Sequence, residues 1–300
     1  MRLFLPRQLS IFAKIYDLQS VSLAADALGL TQSAASKSLL ALEDQLGTRL
    51  FARSPRGTIP TAAGKVLRRR VRFIQRELEL AEDEMASELN MSGSTITIGA
   101  GPSWAAKLLP PMIIELHKAF PQVQIEMVSG SGDYLMPYVE DGVLDMYFGV
   151  LPDSVQFSNY TVKPVQNFNV AIYARNSHDI FQRGGNPLDT MHNYPWMGFA
   201  HDGELLRRIE EYCERNNRPY RPFEMRIMSF VALMSIGRET EHIVFATDIL
   251  EDELSASDFT RIGADEEIYA FESAVAVRTS MLDLEPVTRL ITMAQAKPGR

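Results

Sequence analysis

The chain of 300 residues has one cysteine, five histidines and no long apolar run. Cys213 alone cannot form an internal disulfide or a cysteine-rich zinc site, which fits a reducing compartment. The histidines lack H-x-x-x-H and H-E-x-x-H spacings, so no metal site is expected. Apolar runs of a few residues fall far short of the ~20 that cross a bilayer, so no membrane partner is expected.

Signals for export and for catalysis are also missing. The N-terminal stretch has no apolar segment followed by a small-residue cleavage site, so we expect a cytoplasmic protein. There is no G-x-S-x-G elbow or Walker loop, and GAGPSW lacks the third glycine of a dinucleotide fingerprint. His201 and Asp202 are neighbours in sequence and rarely face each other productively, so a cap or a cleft-lining role is favoured. We expect no enzyme and no cofactor.

Charge is divided unevenly along the chain, whose net charge is -8. Residues 1–76 hold 13 Lys and Arg against four Asp and Glu, or +9, and residues 77–300 hold 17 against 34, or -17. A basic end joined to an acidic body indicates separate roles for the two segments, although exposed ends also acquire charge without a function.

Three short helices are predicted in the basic segment. The first follows Pro6 and has an apolar face made of Leu9, Phe12, Ala13 and Tyr16. The second begins at Ser20 or Ser22, ends at Gly29, and carries Leu23, Ala24, Ala27 and Leu28. The third begins at Thr31 and has an apolar side made of Ala35, Leu39, Leu42 and Leu46. This order is typical of a helix-turn-helix.

Polar side chains at the start of the third helix are the predicted DNA contacts. They are Gln32, Ser33, Ser36 and Lys37, which can enter a major groove about 12 Å wide. A turn over Ser54 to Gly57 then predicts a two-stranded wing that presents Arg53 and Arg56 to phosphates. A three-helix packing module with a solvated basic loop is the alternative.

The same residues carry a family resemblance. Residues 9–67 contain the patterns S-x-x-x-A-A, L-x-x-x-Q-x-A-x-S-x-x-x-x-x-L-E, L-G-x-x-L-F-x-R and T-x-x-G. This segment resembles the N-terminal domain of the LysR-type transcriptional regulators. The resemblance implies DNA contacts by Gln32, Ser36, Lys37 and Arg53, with Leu50 and Phe51 in the core of the wing. Two departures are Ser33, where the family usually has proline, and Leu40 with Ala41, where polar or basic residues are common.

A long helix is predicted from Thr61 to about Leu89, some 40 Å at 1.5 Å per residue. Its heptad seam consists of Leu67, Val71, Ile74, Leu78, Ala81 and Met85. The first half is basic, through residues such as Arg68, and the second half is acidic, so antiparallel pairing with a second copy favours a homodimer. Alternatively, the stripe packs on the chain's own domains. A dimer would set two recognition helices about one DNA turn apart.

Strands and helices alternate after a polar linker at 90–95, which predicts an α/β domain with parallel sheets. This part is similar to the effector domain of the same family, which resembles periplasmic solute-binding proteins. The resemblance implies two subdomains around a ligand cleft, one of about 94–163 and 268–300 and the other of about 164–267. The predicted domains are therefore an all-α winged helix-turn-helix (1–60), a linker and dimerisation helix (61–90) and an effector-binding domain (91–300).

Four strand-to-helix junctions are candidate effector contacts, because helix N-termini there point free N–H groups into a crevice. They supply Pro102, Ser103 and Trp104; Ser129, Gly130 and Ser131; Phe199 and His201; and Ser229 and Phe230. Each junction is alternatively a capped helix without a ligand. Helix N-termini favour a carboxylate effector, but the few basic residues at these junctions suit a neutral or aromatic ligand nearly as well.

The sequence thus predicts a sequence-specific transcriptional regulator controlled by a small-molecule effector. Its expected partners are double-stranded promoter DNA, a second copy in a homodimer that pairs into tetramers, and an effector of unknown identity, with RNA polymerase a further candidate. The rival is a solute-binding protein, or an enzyme on such a scaffold, whose N-terminal module serves assembly. That rival requires an export signal or a catalytic constellation, and the sequence has neither.

Overall fold

The computed structural model describes residues 5–54, 57–88, 95–152, 160–199, 203–263, 266 and 268–296. Backbone contacts divide the chain into an N-terminal unit, Met1–Ser94 with Glu140–Val143, and a C-terminal unit, Thr95–Val139 with Leu144–Arg300. Within the described ranges, no helix is both long enough and apolar enough to cross a membrane.

The N-terminal unit is a winged helix-turn-helix followed by a long helix. Its elements are α1 (Arg7–Leu18), α2 (Val21–Ala27), α3 (Gln32–Leu46), β1 (Phe51–Ser54), β2 (Gly57–Pro60) and α4 (Ala62–Glu88).

Side-chain caps fix where the short helices begin. The Ser20 hydroxyl accepts a hydrogen bond from the Leu23 amide at 3.3 Å and starts α2, so Ser20 rather than Ser22 is the cap. The Thr31 hydroxyl accepts from the Ala34 amide at 3.2 Å and starts α3. Gly47 ends α3 at a φ of 67°, a left-handed conformation that only glycine adopts at little cost.

Helices α1 to α3 pack around one apolar core. Its members are Ile11, Phe12, Ala13, Ile15, Ala24, Ala25, Ala35, Leu39, Leu42, Leu50, Phe51 and Val71. Three leucines predicted on these helices lie outside the core, because Leu23 is 57%, Leu28 is 37% and Leu46 is 47% exposed. The small side chains of Ala24 and Ala25 face the core instead, so α2 packs closely on its neighbours.

The long helix α4 begins where sequence predicted and is held at its start. The Thr61 hydroxyl accepts from the Gly64 amide at 3.1 Å and donates to the Arg49 carbonyl at 2.8 Å. A Cβ on Gly64 would collide with the Leu50 carbonyl oxygen, so glycine permits the close approach of α4 to the wing.

The predicted dimer seam on α4 is shortened. Val71 is buried in the core of its own unit, and Leu67 is half-buried and packs against that core. Ile74 and Met85 are 44% and 46% exposed, and Leu78 and Ala81 are half-buried. Arg68, predicted as part of the basic face, is buried and donates two hydrogen bonds to the Asp17 carboxylate, at 3.0 and 2.9 Å.

The C-terminal unit alternates strands with helices. Its first elements are β3 (Thr95–Ala100), a π-helical turn (Trp104–Leu108), α5 (Leu109–Ala119), β4 (Gln124–Ser129), α6 (Gly132–Glu140), β5 (Met146–Gly149) and β6 (Tyr160–Arg175). The remaining elements are α7 (Pro187–Thr190), β7 (Trp196–Phe199), α8 (Gly203–Arg215), β8 (Phe223–Ile227), α9 (Phe230–Glu239), β9 (Ile243–Thr247), α10 (Glu251–Ser255), β10 (Phe259–Ile262), β11 (Tyr269–Arg278) and α11 (Glu285–Gln295).

One mixed sheet runs through this unit, in the order β4-β3-β5-β11-β6-β9-β7-β8, with β10 paired to β6. The prediction of parallel sheets was only partly right. Strand β3 is parallel to β4 and β5, and β7 is parallel to β8 and β9, but β6 and β11 are antiparallel to each other and to their other neighbours.

Strands β6 and β11 join two lobes. We name as the first lobe β3, β4, β5, α5, α6 and α11, and as the second lobe β7 to β10 and α7 to α10. The pairing of β6 with β11 extends from Tyr269 opposite Val170 to Arg278 opposite Tyr160, so this strand pair passes from one lobe to the other. Its register shifts between Ser273 and Ala274.

Candidate functional site

The first candidate site is the exposed start of α3 in the N-terminal unit. Gln32, Ser33 and Lys37 are exposed and Ser36 is half-buried, whereas Ala35 on the opposite side is fully buried. The core therefore holds α3 by one side while its first two turns present hydrogen-bonding groups to the outside, as base readout in a major groove requires.

Ser33 has a hydrogen-bond partner in the cap. Its hydroxyl lies 3.1 Å from the hydroxyl of Thr31, the N-cap of α3. Where the family pattern has proline, this chain thus has a hydroxyl pair at the helix start. Leu40, the other departure, is 40% exposed and does not belong to the core.

The wing is a hairpin beyond α3 with four residues in each strand. Strands β1 and β2 are antiparallel, with Phe51 opposite Pro60 and Ser54 opposite Gly57. Arg53 lies on β1 opposite Thr58, and Arg56 lies outside the described residues.

A buried carboxylate joins α3 to the wing, and sequence reasoning did not identify it. Glu43 is 5% exposed, and its Oε1 accepts hydrogen bonds from the amides of Leu50 at 2.7 Å and Phe51 at 3.3 Å. Its Oε2 accepts from the Arg49 guanidinium at 2.7 Å. The glutamate of the L-E motif therefore sets the position of the wing relative to α3.

The second candidate site is a cavity of about 600 Å³ in the C-terminal unit. Residues of both lobes and of the joining strands line it. Five residues predicted as effector contacts lie on its wall, namely Pro102, Ser103, Trp104, Ser131 and Phe199.

The other predicted effector contacts do not lie on the described wall. Ser129 is exposed at the end of β4, and Gly130 is buried with its amide donating to the Ala100 carbonyl at 2.9 Å. Ser229 caps α9 by accepting from the Ala232 amide at 3.3 Å, and Phe230 stacks behind Phe199 with 6.5 Å between ring centroids. Ser229 therefore serves as a helix cap, and Phe230 packs against Phe199. His201 lies outside the described residues.

Hydroxyl groups from distant parts of the chain meet on the wall. Ser103, which precedes the π-helical turn, and Thr247, at the end of β9, have their hydroxyl oxygens 2.6 Å apart across the two lobes. The Trp104 indole N–H donates to the Ser273 hydroxyl at 2.6 Å, next to the register shift in β11. Ser103 and Thr247 share one hydrogen bond, so this pair keeps one donor proton and several lone pairs for a further contact.

Aromatic rings form a continuous wall along the cavity. Trp104 and Phe168 have centroids 6.2 Å apart, Phe168 and Phe271 are 5.6 Å apart, and Phe271 and Tyr269 are 5.5 Å apart. All four line the cavity. Phe168 meets Trp104 at 77° and Phe271 at 60°, so the rings contact edge to face and form an apolar surface suited to an aromatic or hydrocarbon group.

The charged residues of the described wall are Arg207, Arg208 and Asp133. The Arg208 guanidinium lies 5.0 Å from the centroid of the Tyr269 ring and donates to Glu211 at 3.3 Å. The Asp133 carboxylate accepts from the Gly203 amide at 3.3 Å, at the start of α8, where the helix dipole stabilises a negative charge.

An ion pair outside the wall also crosses between the lobes. The Lys107 ammonium, on the π-helical turn, lies 2.9 Å from Asp252 and 3.1 Å from Glu253 on α10. Partial burial opposes the charged form of Lys107, but the hydrogen bonds to the two carboxylates outweigh it and raise its pKa. The contact therefore stays charged at neutral pH.

The part of the chain that the structure describes contains little that resembles a catalytic centre. Among the described residues, no group of three His, Cys, Asp or Glu side chains is placed to hold a metal ion. His178 is fully buried, and its Nδ1 accepts from the Ile180 amide at 3.0 Å, which makes it a helix cap with the proton on Nε2. Burial raises the pKa of the Cys213 thiol to about 11, so it is unreactive at neutral pH.

A winged helix-turn-helix followed by a two-lobed ligand-binding domain is the architecture of a DNA-binding regulator. Family comparisons agree with this class. The family model described as "Bacterial regulatory helix-turn-helix protein, lysR family" matches residues 6–65, and that of the "LysR substrate binding domain" matches residues 90–298. The chain belongs to the LysR family of transcriptional regulators, which is not a family of enzymes.

Curated relatives carry regulator names. The HTH-type transcriptional regulator GbpR of Azospirillum brasilense is 31% identical over 182 residues, or 61% of this chain and 53% of its own length. The regulator PcaQ of Agrobacterium fabrum is 24% identical over 223 residues, or 74% of this chain and 72% of its own. The match with GbpR thus spans about half of that relative.

Solved structures share the fold at low identity. ArgP from Mycobacterium tuberculosis has a TM-score of 0.70 at 17% identity, with 98% of this chain and 97% of that chain covered. Full-length CbnR in complex with its target DNA has a TM-score of 0.66 at 14% identity, covering 96% and 98%. LysG from Corynebacterium glutamicum with the bound effector Arg has a TM-score of 0.68 at 17% identity, covering 97% and 98%.

Proposed function

We propose that this protein is a sequence-specific transcriptional regulator that binds promoter DNA through the N-terminal unit and a small-molecule effector through the C-terminal cavity. The observation that carries the proposal is the polar first turn of α3, exposed on a helix whose opposite side is buried. Within it we assign Gln32, Ser33, Ser36 and Lys37 to base edges and nearby phosphates, and Arg53 and Arg56 of the wing to the backbone.

The division into domains is part of the proposal. Residues 1–60 bind DNA, 61–90 form the linker and dimerisation helix, and 91–300 bind the effector. Within the last part we take 94–163 with 268–300 as one subdomain and 164–267 as the other. The net charge of +9 on residues 1–76 supports this division of labour, because phosphate contacts need cations.

An effector in the cavity would change either the affinity of the protein for promoter DNA or the bending of that DNA. Support comes from the volume of about 600 Å³, which suits a small metabolite, and from a wall built by both lobes. We assign effector contact to Pro102, Ser103, Trp104, Ser131 and Phe199. The solved LysG structure holds the effector Arg, which gives a precedent in a protein of the same fold.

Self-association completes the proposal. The part of the α4 seam that remains for a second copy consists of Ile74, Leu78, Ala81 and Met85. Analytical ultracentrifugation of Ile74→Glu and Met85→Glu should show weaker association than in the wild type. If the wild type is a dimer, its dissociation constant should rise, and if it is a tetramer, the variants should sediment as dimers. Val66→Glu is the control, because Val66 is 52% exposed on the same helix and lies off the seam. Unchanged assembly in the seam variants would remove α4 from the interface.

DNA binding is tested by mobility shift of the full chain on duplexes from DNA upstream of neighbouring genes. Wild-type binding should weaken steeply with salt, and Lys37→Ala should reduce the slope of log K against log salt by about one. The triple change Gln32→Ala, Ser36→Ala and Lys37→Ala should abolish sequence preference. RNA polymerase, the further candidate partner, is added in the same assay to ask whether it joins the complex.

Two controls match these changes. Lys118→Ala removes an equal charge from an exposed site in the C-terminal unit and should leave the salt slope unchanged. Asp44→Ala and Gln45→Ala alter the exposed C-terminal end of α3 without touching its first turn. Retention of sequence preference by the triple variant would disprove the assignment of α3 as the recognition helix.

A further inference from the structure

The cavity wall is apolar along most of its length and cationic at one place. The ring series from Trp104 through Phe168 and Phe271 ends at Tyr269, and the Arg208 guanidinium lies over that last ring at 5.0 Å. A ligand that packs against these rings and reaches Tyr269 would therefore bring one of its ends to a guanidinium.

The Arg208 side chain is partly exposed, but two contacts restrict it. Its contact with the Tyr269 ring and its hydrogen bond to Glu211 at 3.3 Å restrict the side chain from two directions. Arg207, the preceding residue on α8, lines the same cavity. A planar guanidinium with five donors matches a carboxylate better than any neutral group.

The one described acidic residue on the wall is poorly placed to receive a cation. The Asp133 carboxylate accepts a hydrogen bond from the Gly203 amide at the N-terminus of α8, where the helix dipole already stabilises its negative charge. An ammonium group would also lie in the same cavity as two arginines, which repel it.

We propose that the effector is an aromatic carboxylate, with its ring against the Trp104–Phe168–Phe271 wall and its carboxylate at Arg208. The inference rests on the proposed role of the cavity as the effector site and names the class of ligand it takes. Arg208 is then the residue that sets specificity for charge, and the aromatic wall sets specificity for shape.

Three probes of one shape and different charge test the proposal on the full chain. Phenylacetate, phenylacetamide and 2-phenylethylamine share a ring and a side chain of similar length, and carry a negative charge, no charge and a positive charge. Trp104 fluorescence reports their binding, because it lines the cavity whereas Trp196 is buried in the second-lobe core. A Trp104→Phe variant identifies which part of the signal arises from the cavity.

Phenylacetate should bind about tenfold more tightly than phenylacetamide, and 2-phenylethylamine should bind more weakly than either. Arg208→Gln should bring phenylacetate to the affinity of phenylacetamide and leave that of phenylacetamide unchanged. Added salt should weaken phenylacetate alone, because the Arg208 side chain is 40% exposed and its field is screened. Arg215→Gln is the matched control, since it removes the same charge from α8 outside the cavity wall.

The outcomes separate the ligand class from the function of the cavity. Equal or tighter binding of phenylacetamide or 2-phenylethylamine would overturn the carboxylate class and leave the cavity as an effector site. Equal loss in Arg208→Gln and Arg215→Gln would overturn the role of Arg208. No change in Trp104 fluorescence with any probe, alongside intact DNA binding, would overturn both the ligand class and the cavity as an effector site.

Discussion

Removing the Glu43 side chain should loosen the wing from the recognition helix. In Glu43→Ala, the buried amides of Leu50 and Phe51 lose their common acceptor, Oε1, which now receives bonds of 2.7 and 3.3 Å. In Glu43→Gln, an amide oxygen can replace Oε1, and only the contact of Oε2 with Arg49 is lost. The two substitutions therefore differ in whether buried donors keep a partner.

The expected magnitudes follow from that difference. Each buried amide without an acceptor costs about 1–3 kcal/mol, so the loss of two acceptor contacts in Glu43→Ala should lower the free energy of unfolding by about 2–6 kcal/mol. Arg49 has a side chain that is 66% exposed, so its pair with Glu43 contributes little. Glu43→Gln should cost about 1 kcal/mol, mainly through loss of charge assistance. In a domain of this size these losses correspond to a fall in Tm of roughly 8 °C or more for Glu43→Ala and of roughly 4–8 °C for Glu43→Gln.

The two tryptophans make the assay specific to one unit. Both Trp104 and Trp196 lie in the C-terminal unit, so their fluorescence reports its unfolding, whereas far-ultraviolet circular dichroism reports both units. The dichroism transition should shift in Glu43→Ala while the fluorescence midpoint stays unchanged. Asp44→Ala, an exposed carboxylate on the same helix, should change neither. Equal damage from Glu43→Gln and Glu43→Ala would refute the reasoning.

Three further changes have clear expected outcomes. Hydrogen bonds from Arg218 lower the pKa of Glu266 from 4.5 to about 2, so its stabilisation is complete above pH 4.5 and is lost as pH falls toward 2. Glu266→Gln should therefore lower the fluorescence midpoint near pH 7 by the equivalent of about 1 kcal/mol, with the gap closing in acid; a constant gap would refute this. Gly64→Ala should lower the free energy of unfolding, followed by circular dichroism, by about 1–3 kcal/mol. The clash with the Leu50 carbonyl exceeds the gain in helix propensity of about 1 kcal/mol, so a stabilised variant would contradict this expectation. Lys107→Met should change stability by less than about 1 kcal/mol, since its partners are partly exposed, and a larger loss in urea unfolding would show the pair to be stronger than its exposure implies.

The N-terminal unit follows closely from local sequence rules. Serine and threonine caps, a glycine at a helix end and a 3.6-residue apolar period all act within a few residues, so Ser20, Thr31 and Gly29 could be interpreted directly. The errors arose where small residues pack. Ala24 and Ala25 face the core while Leu23 faces outward, which hydrophobicity alone does not predict.

The cavity was only partly predictable because its wall comes from distant parts of the chain. The junction before the π-helical turn was identified from its glycine and serine, but Thr247, Phe271 and Arg208 meet it only through the sheet. The parallel-sheet prediction missed the reversal of direction at β6 and β11, because alternation of strands and helices does not report which strands pair. A glycine and two arginines close together near the start of α8 were the available signal for the cationic end.

The central place of β11 in the sheet has a consequence for how the protein is made. This strand, Tyr269–Arg278, lies between β5 and β6, yet it leaves the ribosome more than a hundred residues after β5. Until it arrives, both neighbours have unpaired edges, a state prone to aggregation. The N-terminal unit can fold during translation, whereas the C-terminal sheet closes only near the end of synthesis. The DNA-binding domain is therefore in place before the cavity exists.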